Sequence, residues 1–240
     1  MNFKILNFGD LPSTQRALGE LRDAHEGCVV CADYQSQGRG QQGTSWESEG
    51  GKNLLFSLLL TPAHLPTTHL FDLSRTAALA LANYLIDNKI DAKIKWANDI
   101  FVGEKKIAGI LIEPTVRGDR VLQAIVGVGF NVNQQQFATA PLATSISLIA
   151  NKLHNKEEIL QGILLQFSQW YDMLQNEEYQ AIRESYTALL YRKTGLHRYR
   201  AEGGEFLAEL VKISDSGDLM LQKTTGKTCT FRFKQVEFVH

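Results

Sequence analysis

Hydrophobic residues in the first 133 positions form short alternating or continuous runs, a pattern typical of strands. One longer segment, from about Leu70 to Asn88, repeats Leu and Ala at helical spacing, and its wide apolar face predicts a helix that lies against a sheet. A shorter amphipathic segment at 15–25 predicts a first helix, with Ser13 or Thr14 as its cap. The predicted strands are CVVCADY, NLLFSLLLT, AKIKWANDIFV, KIAGILIEP and VLQAIVGVGFNVN, of which the third and fourth form a hairpin.

The last third of the chain changes from helical to strand patterns. Residues 134–144 are polar and lack periodicity, so they predict a loop, and two helices are predicted near 156–174 and 178–191. Beyond them, the segments FLAELVKI, LMLQK and CTFRFKQVEFV alternate and are separated by glycine-containing turns, as in small barrels. The pattern therefore predicts a large domain over 1–195 and a small β-domain over 196–240.

Composition and charge narrow the class of protein. Hydrophobic residues make up 44% of the chain and the net charge is -1, so bulk electrostatics indicate no nucleic-acid partner. The N-terminus does not have the pattern of a signal peptide, and the longest apolar run, at 54–60, is far too short to span a membrane. Three cysteines suit a reducing compartment, and we expect a cytoplasmic protein.

Two of the cysteines, Cys28 and Cys31, form a C-x-x-C pattern that can indicate zinc or redox chemistry. They lie in a predicted strand, where side chains three positions apart point to opposite faces. The third cysteine, Cys229, is distant, and no second pair completes a ligand set. We therefore interpret both as core residues, and the sequence leaves any metal ligands unknown.

The glycine-rich segment 38–43 has the pattern G-x-G-x-x-G. A dinucleotide-binding fingerprint needs a helix directly after this loop, but here the chain runs through Trp46 into another strand. The companion motifs of Walker loops and protein kinases are also absent from the sequence. A loop remains that carries Arg39 and no acid between Gln35 and Trp46, which suits anion binding. The alternative is a solvent-exposed glycine turn with an idle arginine.

A second cluster lies around the predicted hairpin. Lys95, Asn98 and Asp99 are near the end of one strand, and Lys105 and Lys106 open the other. If the hairpin forms, a carboxylate, an amide and an ammonium group converge at one end of the sheet. The alternative is a charged hairpin turn without a function.

Small residues form a third cluster. Gly109 in the hairpin permits close approach of a ligand or a neighbouring backbone. Gly127 and Gly129 alternate on the last strand and leave one face bare, which makes room for a flat or chain-like ligand. Asn131, two residues further on, points the same way. The alternative for the two alternating glycines is a close crossing with a helix.

Together these segments resemble the biotin protein ligases, also called biotin–[acetyl-CoA-carboxylase] ligases. The matches are PSTQ for the family's S-T-N, YQSQGRGQQGTSW for G-R-G-R-x-G-x-x-W, KWANDIFVGEKKIAGILIE for K-W-P-N-D…K-x-x-G-I-L-x-E, and VGVGFNVN for V-G-I-G-I-N. Their order and spacing hold from Ser13 to Asn133. The resemblance implies an α+β fold: a mixed sheet packed by helices, as in the class II synthetase-like biotin/lipoate ligase catalytic domain, followed by a small SH3-like β-barrel.

The resemblance implies a two-step reaction with ATP, Mg²⁺ and biotin. The carboxylate of biotin attacks the α-phosphate of ATP, which gives biotinyl-5′-AMP and pyrophosphate. A lysine of the biotin carboxyl carrier domain of a biotin-dependent carboxylase then attacks the mixed anhydride. Relatives are monomers or homodimers. Because the motifs begin at Ser13, a winged helix-turn-helix has no room before them, so we expect a monofunctional ligase that binds neither DNA nor membranes.

The resemblance also assigns roles to residues of this chain. Two anions repel as carboxylate meets triphosphate, so the site must supply positive charge. Lys106 would contact both anions, Arg39 would fold over the adenylate, and Asp99 would orient or deprotonate the incoming lysine. The expected biotin-binding residues are Ser13, Thr14, Gln15, Gln35, Gly38, Arg39, Gly40, Gln41, Lys106, Gly109 and Gly127. The expected ATP-binding residues are Arg39, Trp46, Asn98, Lys106 and Asn131.

The chain departs from the family pattern at a few positions. Gln41 stands where many members carry the second arginine of G-R-G-R, so one phosphate-side charge is missing. Gln15 and Ala97 replace an asparagine and a proline. Two other functions remain open: a lipoate or octanoate ligase or transferase of the same superfamily, and a non-catalytic sensor of biotin or its adenylate. The pairing of K-W-x-N-D with G-R-G favours biotin, and the retained Lys106 argues against a sensor.

Overall fold

The structure is a computed structural model that describes residues 1–41 and 44–239. Gln42 and Gly43, in the glycine-rich segment, lie outside the described residues. The helices are α1 (Thr14–Glu20), α2 (Leu70–Asp87), α3 (Ile146–Ala150), α4 (Lys156–Gln175) and α5 (Tyr179–Ala188). The strands are β1 (Lys4–Leu11), β2 (Cys28–Gln35), β3 (Leu54–Leu60), β4 (Ala92–Lys95), β5 (Asp99–Val102), β6 (Lys105–Arg117), β7 (Arg120–Phe130), β8 (His197–Ala201), β9 (Gly204–Ile213), β10 (Leu219–Lys223), β11 (Thr228–Phe231) and β12 (Val236–Phe238).

The strands form two sheets. The larger sheet has the order β1-β2-β3-β7-β6-β5-β4. It is a mixed sheet, because β1 and β2 are parallel and every other pair of adjacent strands is antiparallel. The smaller sheet is antiparallel, with the order β11-β10-β9-β8-β12. The predicted α+β class, a mixed sheet packed by helices with a small β-unit at the C-terminus, is confirmed. The division into domains at residue 195 stays a prediction.

The two faces of the larger sheet have different roles. On one face, α2 and α4 bury the main core together with alternate residues of β2, β3 and β7. On the other face, Leu18 of α1 packs with Val30 and Ile125 in a smaller cluster. As predicted, Cys28 and Cys31 belong to opposite faces and both are buried. Burial raises the pKa of Cys31 to about 12, which keeps it a thiol.

The long helices and most of the strands lie where the sequence predicts them, and the differences concern a few short elements. The helix predicted at Leu70–Asn88 is present as α2, and α4 and α5 match the two later helices within a few residues. The sequence pattern does not predict β1, because this edge strand is exposed on both faces and lacks alternation, nor does it predict the five-residue α3. The first helix was predicted too long, since α1 ends at Glu20.

Two predicted strands are each divided in the structure. The segment AKIKWANDIFV was predicted as one strand, but it forms a hairpin of β4 and β5 with a turn at 96–98. The segment CTFRFKQVEFV was also predicted as one strand, but β11 and β12 pair with different strands of the smaller sheet. In both cases apolar residues continue through the turn, so hydrophobic periodicity does not mark it. None of the helices in the described part of the chain has the length and apolarity needed to cross a membrane.

Candidate active site

A cavity of about 790 Å³ on the α1 face of the larger sheet brings most of the predicted site residues together. Two predicted residues, Gly38 and Asn131, are not among the described residues that line it. The predicted residues that line it are Ser13, Thr14, Gln15, Gln35, Arg39, Gly40, Gln41, Trp46, Asn98, Asp99, Lys106, Gly109 and Gly127. Their individual roles stay predictions.

Glycines form the floor of the cavity. Gly109 of β6 lies directly opposite Gly129 of β7 in the strand register, and Gly127 shares the same face of β7. A Cβ atom at Gly127 would lie 2.8 Å from the Gln15 side chain, and a Cβ atom at Gly129 would overlap the ring of Trp46. The predicted bare face therefore exists. The alternative of a close helix crossing also holds in part, because Gln15 belongs to α1.

A β-bulge sets the position of Lys106. The register between β5 and β6 shifts so that Ile107 has no partner on β5, and its side chain is buried in the core on the opposite face. In a regular strand, residues 106 and 109 would point to opposite faces; with the bulge, a Cβ atom at Gly109 would lie 3.1 Å from Lys106 Nζ. Asp99 lies opposite Gly109, and its Oδ1 is 2.6 Å from Lys106 Nζ. The bulge thus brings the predicted ammonium and carboxylate together.

The polar loop at 134–144 supports the backbone around Lys106. Lys106 N donates to Leu142 O at 2.7 Å, and Thr144 N donates to Lys106 O at 2.9 Å. Glu47, next to Trp46, accepts hydrogen bonds from the backbone N–H groups of residues 138 and 139 and from the Thr139 hydroxyl. The hydrogen bond from the Thr139 hydroxyl is the main cause of the lowered pKa of Glu47. This anchor was not predicted from the sequence.

One end of the cavity is built from uncharged polar groups. Gln35 Oε1 accepts from Thr14 N at 2.7 Å and from Thr14 Oγ1 at 3.1 Å, and Thr14 Oγ1 lies 2.8 Å from Ser57 Oγ. Gln15 Nε2 donates to Leu111 O at 3.1 Å. Ser57 was not predicted as a site residue. The signal in the sequence is its position as the single polar residue in the apolar run of β3.

The described residues of the glycine-rich loop pair with the residues that follow it in the chain. Trp46 N donates to Gly38 O at 3.1 Å, and Gly40 N donates to the backbone oxygen of Thr44 at 2.6 Å. A Cβ atom at Gly40 would overlap the Thr44 hydroxyl, so this glycine is required by close strand pairing. Arg39 is half-exposed and lies 3.5 Å from Glu113, the motif glutamate of β6. Arg39 therefore has a carboxylate partner, and its role in anion binding stays a prediction.

Two of the predicted ATP-binding residues are held by backbone contacts. Asn98 Nδ2 donates to Ile110 O at 2.5 Å, and Ile110 N donates to Asn98 O at 3.0 Å, which fixes Asn98 beside β6. Asn131 lies one residue beyond β7 and is buried, and its Nδ2 donates to Thr144 O at 3.0 Å. Its Oδ1 is buried and has no hydrogen-bond partner among the described residues. The ATP contact of Asn131 stays a prediction.

The other end of the cavity is walled by Lys95, which belongs to the predicted hairpin cluster, and by residues near the C-terminus that no motif marks. From the larger sheet, Lys95 lines the cavity with its Nζ 4.6 Å from the ring centre of Phe101 and 5.3 Å from that of Phe238. Burial lowers the pKa of Lys95, and the charge of Asp99 opposes that shift. The smaller sheet supplies Phe233, Lys234, Val236, Glu237 and Phe238.

Comparison with known proteins places the chain among biotin ligases. Residues 10–131 match the Biotin/lipoate A/B protein ligase family. The bifunctional ligase/repressor BirA of Bacillus subtilis (strain 168) is 35% identical over 226 residues, which cover 90% of this chain and 68% of that protein. The biotin–[acetyl-CoA-carboxylase] ligase of Paracoccus denitrificans is 31% identical over 206 residues, 82% of this chain and 85% of that protein.

A solved structure extends the similarity to nearly the whole fold. The biotin protein ligase from Aquifex aeolicus in complex with biotin and ATP superposes with a TM-score of 0.82 at 25% sequence identity, over 98% of this chain and 99% of that chain. The match includes the smaller C-terminal sheet, so the predicted combination of catalytic fold and small β-unit is confirmed. The resemblance seen in the four sequence motifs is confirmed as well. The chain belongs to the biotin/lipoate A/B protein ligase family.

Proposed function

We propose that the protein is an ATP-dependent ligase that activates biotin as biotinyl-5′-AMP and transfers it to a lysine of a biotin carboxyl carrier domain. The observation that carries this proposal is the order of side chains across the sheet. Uncharged polar groups of α1 and β2 line one end, backed by Ser57 of β3, and the charged groups Lys106, Asp99 and Lys95 follow on β6, β5 and β4. A ligand with a neutral ring system and a terminal carboxylate fits this order.

The uncharged end suits the ring system of biotin. Its ureido group has both donors and acceptors but no charge, and Thr14, Gln15 and Gln35 offer hydroxyl and amide groups of both kinds. These three side chains are buried or half-buried, and the hydrogen bonds among them and their neighbours fix their orientation. Such a preorganised polar pocket discriminates well, because an ill-matched ligand leaves buried groups unpaired.

The charged centre suits the adenylation step. A carboxylate oxygen of biotin attacks the α-phosphorus, the bond from that phosphorus to the bridging oxygen breaks, and pyrophosphate leaves. The ammonium of Lys106, held by Asp99 at 2.6 Å, would stabilise the negative charge that gathers on the phosphoryl oxygens. Arg39 would exchange Glu113 for the adenylate and shield the anhydride from water.

In the second step, the amine of the carrier lysine attacks the acyl carbon and AMP leaves. The incoming lysine must lose a proton, and Asp99 is the carboxylate at the reaction centre that would orient it and accept that proton. Mg²⁺ would enter with ATP, since this ion binds mainly through phosphate oxygens and water. The carboxylates that line the cavity, Asp99 and Glu237, are both in ion pairs, which fits an ion held chiefly by the phosphates.

The proposed partner is the carrier domain of a biotin-dependent carboxylase, and it is supported by the activity named for the Paracoccus relative. All three cysteines are free, which fits the proposed cytoplasmic location. The protein would act as a monomer or a homodimer.

The test is transfer of labelled biotin to a carboxyl carrier domain with ATP and Mg²⁺, with pyrophosphate release measured separately for the first step. The Lys106→Gln variant should lose adenylate formation by at least about 100-fold, as when one transition-state donor is removed. Lys105→Gln is the matched control, because the neighbouring Lys105 is exposed and outside the cavity. Labelling with lipoate alone would make this a lipoate ligase, and adenylate without carrier labelling would make it a sensor.

A further inference from the structure

The turn at 232–235, between β11 and β12, forms part of the cavity wall. Arg232 N donates to Gln235 Oε1 at 2.7 Å, and Gln235 N donates to Arg232 O at 3.0 Å, so the turn is closed by two hydrogen bonds. Phe233 and Lys234 at its tip both line the cavity. The smaller sheet thus presents a cationic side chain to the site from a fixed turn.

Lys234 bridges the smaller sheet and the glycine-rich loop. Its Nζ donates to Gln41 O at 3.2 Å, across 193 positions of sequence. A backbone carbonyl is a neutral acceptor, and a phosphate oxygen makes a shorter and stronger hydrogen bond with an ammonium group. The contact with Gln41 is therefore one that an anionic ligand can replace.

The backbone of Lys234 is held in a conformation that few residues adopt. Its φ is 65°, in the left-handed region where glycine and asparagine are favoured. Several other non-glycine residues share this region, so the conformation adds weight only together with the contact that it produces. This conformation is unfavourable for a lysine, and Lys234 adopts it at a turn where its side chain lines the cavity.

The charge of the cavity also points to a highly anionic ligand beside Lys234. The described lining carries four cationic side chains, Arg39, Lys95, Lys106 and Lys234, and two carboxylates. Lys106 has Asp99 as its ion-pair partner, and Arg39 has Glu113, which lies outside the lining. The single negative charge of the biotin carboxylate can be balanced by Lys106 alone. The cationic side chains at this end of the cavity suit an anionic group such as a polyphosphate.

We propose that Lys234 binds the β- or γ-phosphate of ATP and exchanges the Gln41 carbonyl for a phosphate oxygen. This inference rests on the proposed ATP-dependent reaction, and it names a residue of the smaller sheet as part of the triphosphate subsite. The order of side chains across the sheet supports a triphosphate site near Lys234. The uncharged pocket lies on one side of Lys106, and the smaller sheet lies on the other side, where it contacts Lys95 of β4. Lys234 also supplies charge beside Gln41, where the family's second arginine is missing.

The test measures ligand binding directly and does not depend on turnover. ATP with Mg²⁺, pyrophosphate, and a stable biotinyl-adenylate analogue that lacks the β- and γ-phosphates are each titrated into wild type and Lys234→Gln. The variant should bind ATP and pyrophosphate about tenfold more weakly, the effect of one charge-assisted hydrogen bond, and should bind the analogue as wild type does. Lys234→Arg should restore most of the ATP affinity. Arg232→Gln, which removes an exposed charge two residues away and outside the cavity lining, is the matched control.

Two results would overturn the assignment: equal weakening for ATP and the analogue, or unchanged binding of both. Weaker binding of a carrier domain to the variant with unchanged ATP affinity would mean that the lysine contacts the carrier instead. Failure of the proposed function is distinguishable, because a wild-type protein that binds ATP but makes no adenylate refutes the reaction and still reports on the phosphate contact.

Discussion

Replacing Asp72 with asparagine tests how the smaller sheet is held in place. Asp72 on α2 is fully buried and accepts hydrogen bonds from Arg75 Nη1 at 2.6 Å and from Arg183 Nε and Nη2 at 3.0 and 2.7 Å. Arg75, itself 1% exposed, donates onward to Ser214 O at 2.6 Å, and Arg183 pairs with Asp215 at 2.9 Å. The carboxylate thus orients two guanidinium groups that bind the turn between β9 and β10.

The expected loss is large because the change removes one partner of a buried charge cluster. An asparagine at position 72 keeps the shape but leaves Arg75 and Arg183 close together without their shared counter-charge. Breaking a buried pair in this way costs about 3–5 kcal/mol in the free energy of unfolding. That is a substantial part of the roughly 5–15 kcal/mol that stabilises a typical domain.

The pH dependence of this loss has a definite sign. Burial by itself raises the pKa of Asp72, but the hydrogen bond from Arg183 and the charge of Arg75 outweigh it, so the folded-state pKa lies below its usual value. A lowered folded pKa contributes stability that is complete above the unfolded value, about 4, and is lost as the pH falls through the folded value. The difference between wild type and Asp72→Asn should therefore be full at neutral pH and shrink in acid.

Urea unfolding at a series of pH values, followed by far-UV circular dichroism, measures this difference. The control is Arg16→Ala, which breaks the exposed Arg16–Glu20 pair at 2.8 Å on α1 and should leave the midpoint unchanged. A loss below about 1 kcal/mol at neutral pH, or a difference that does not depend on pH, would show that the cluster does not stabilise the fold as argued.

Two further predictions concern the cavity. Gly129→Ala places a methyl group where the Trp46 ring lies, so it should cost about 1–3 kcal/mol of stability by urea unfolding and weaken ATP binding. Gly9→Ala should do neither, because apart from its chain neighbours no described residue has an atom within 4 Å of the added Cβ. Arg39→Ala should release biotinyl-5′-AMP about tenfold faster by removing one charge-assisted contact, seen as biotin labelling of a bystander protein in the same tube; strict carrier selectivity in this variant would contradict the role of the arginine.

The sequence was a good guide wherever one physical signal dominated. The helical spacing of Leu and Ala predicted α2 to within one residue, because this helix buries one wide face against the sheet. The glycines at 109, 127 and 129 predicted a bare face, and the register places them together. In each case the spacing of residues within one element determines which of them lie on the same face.

The rest could not be read from spacing because it depends on contacts that are distant in sequence. The bulge at Ile107 decides that Lys106 shares a face with Gly109, yet nothing in the alternation of β6 marks the extra residue. Ser57 supports the polar pocket because its hydroxyl lies 2.8 Å from that of Thr14, which belongs to another element. The cavity wall at 233–238 was missed because the motifs end near residue 133, and a turn such as that at Lys234 has no motif of its own.

The residues that carry the sequence motifs therefore do not form the whole site in this fold. The family match covers residues 10–131, and these carry the carboxylate, the ammonium and the glycine floor. The far wall comes from the smaller sheet, which packs on Trp96 and Ala97 beside the motif residues Asn98 and Asp99. The buried arginine Arg75 attaches that same sheet to α2, so the charge cluster at Asp72 fixes a wall of the cavity as well as a core contact. Breaking the cluster should for this reason lower both the stability of the protein and its affinity for the nucleotide. This holds although no residue of the cluster is among the described residues that line the cavity.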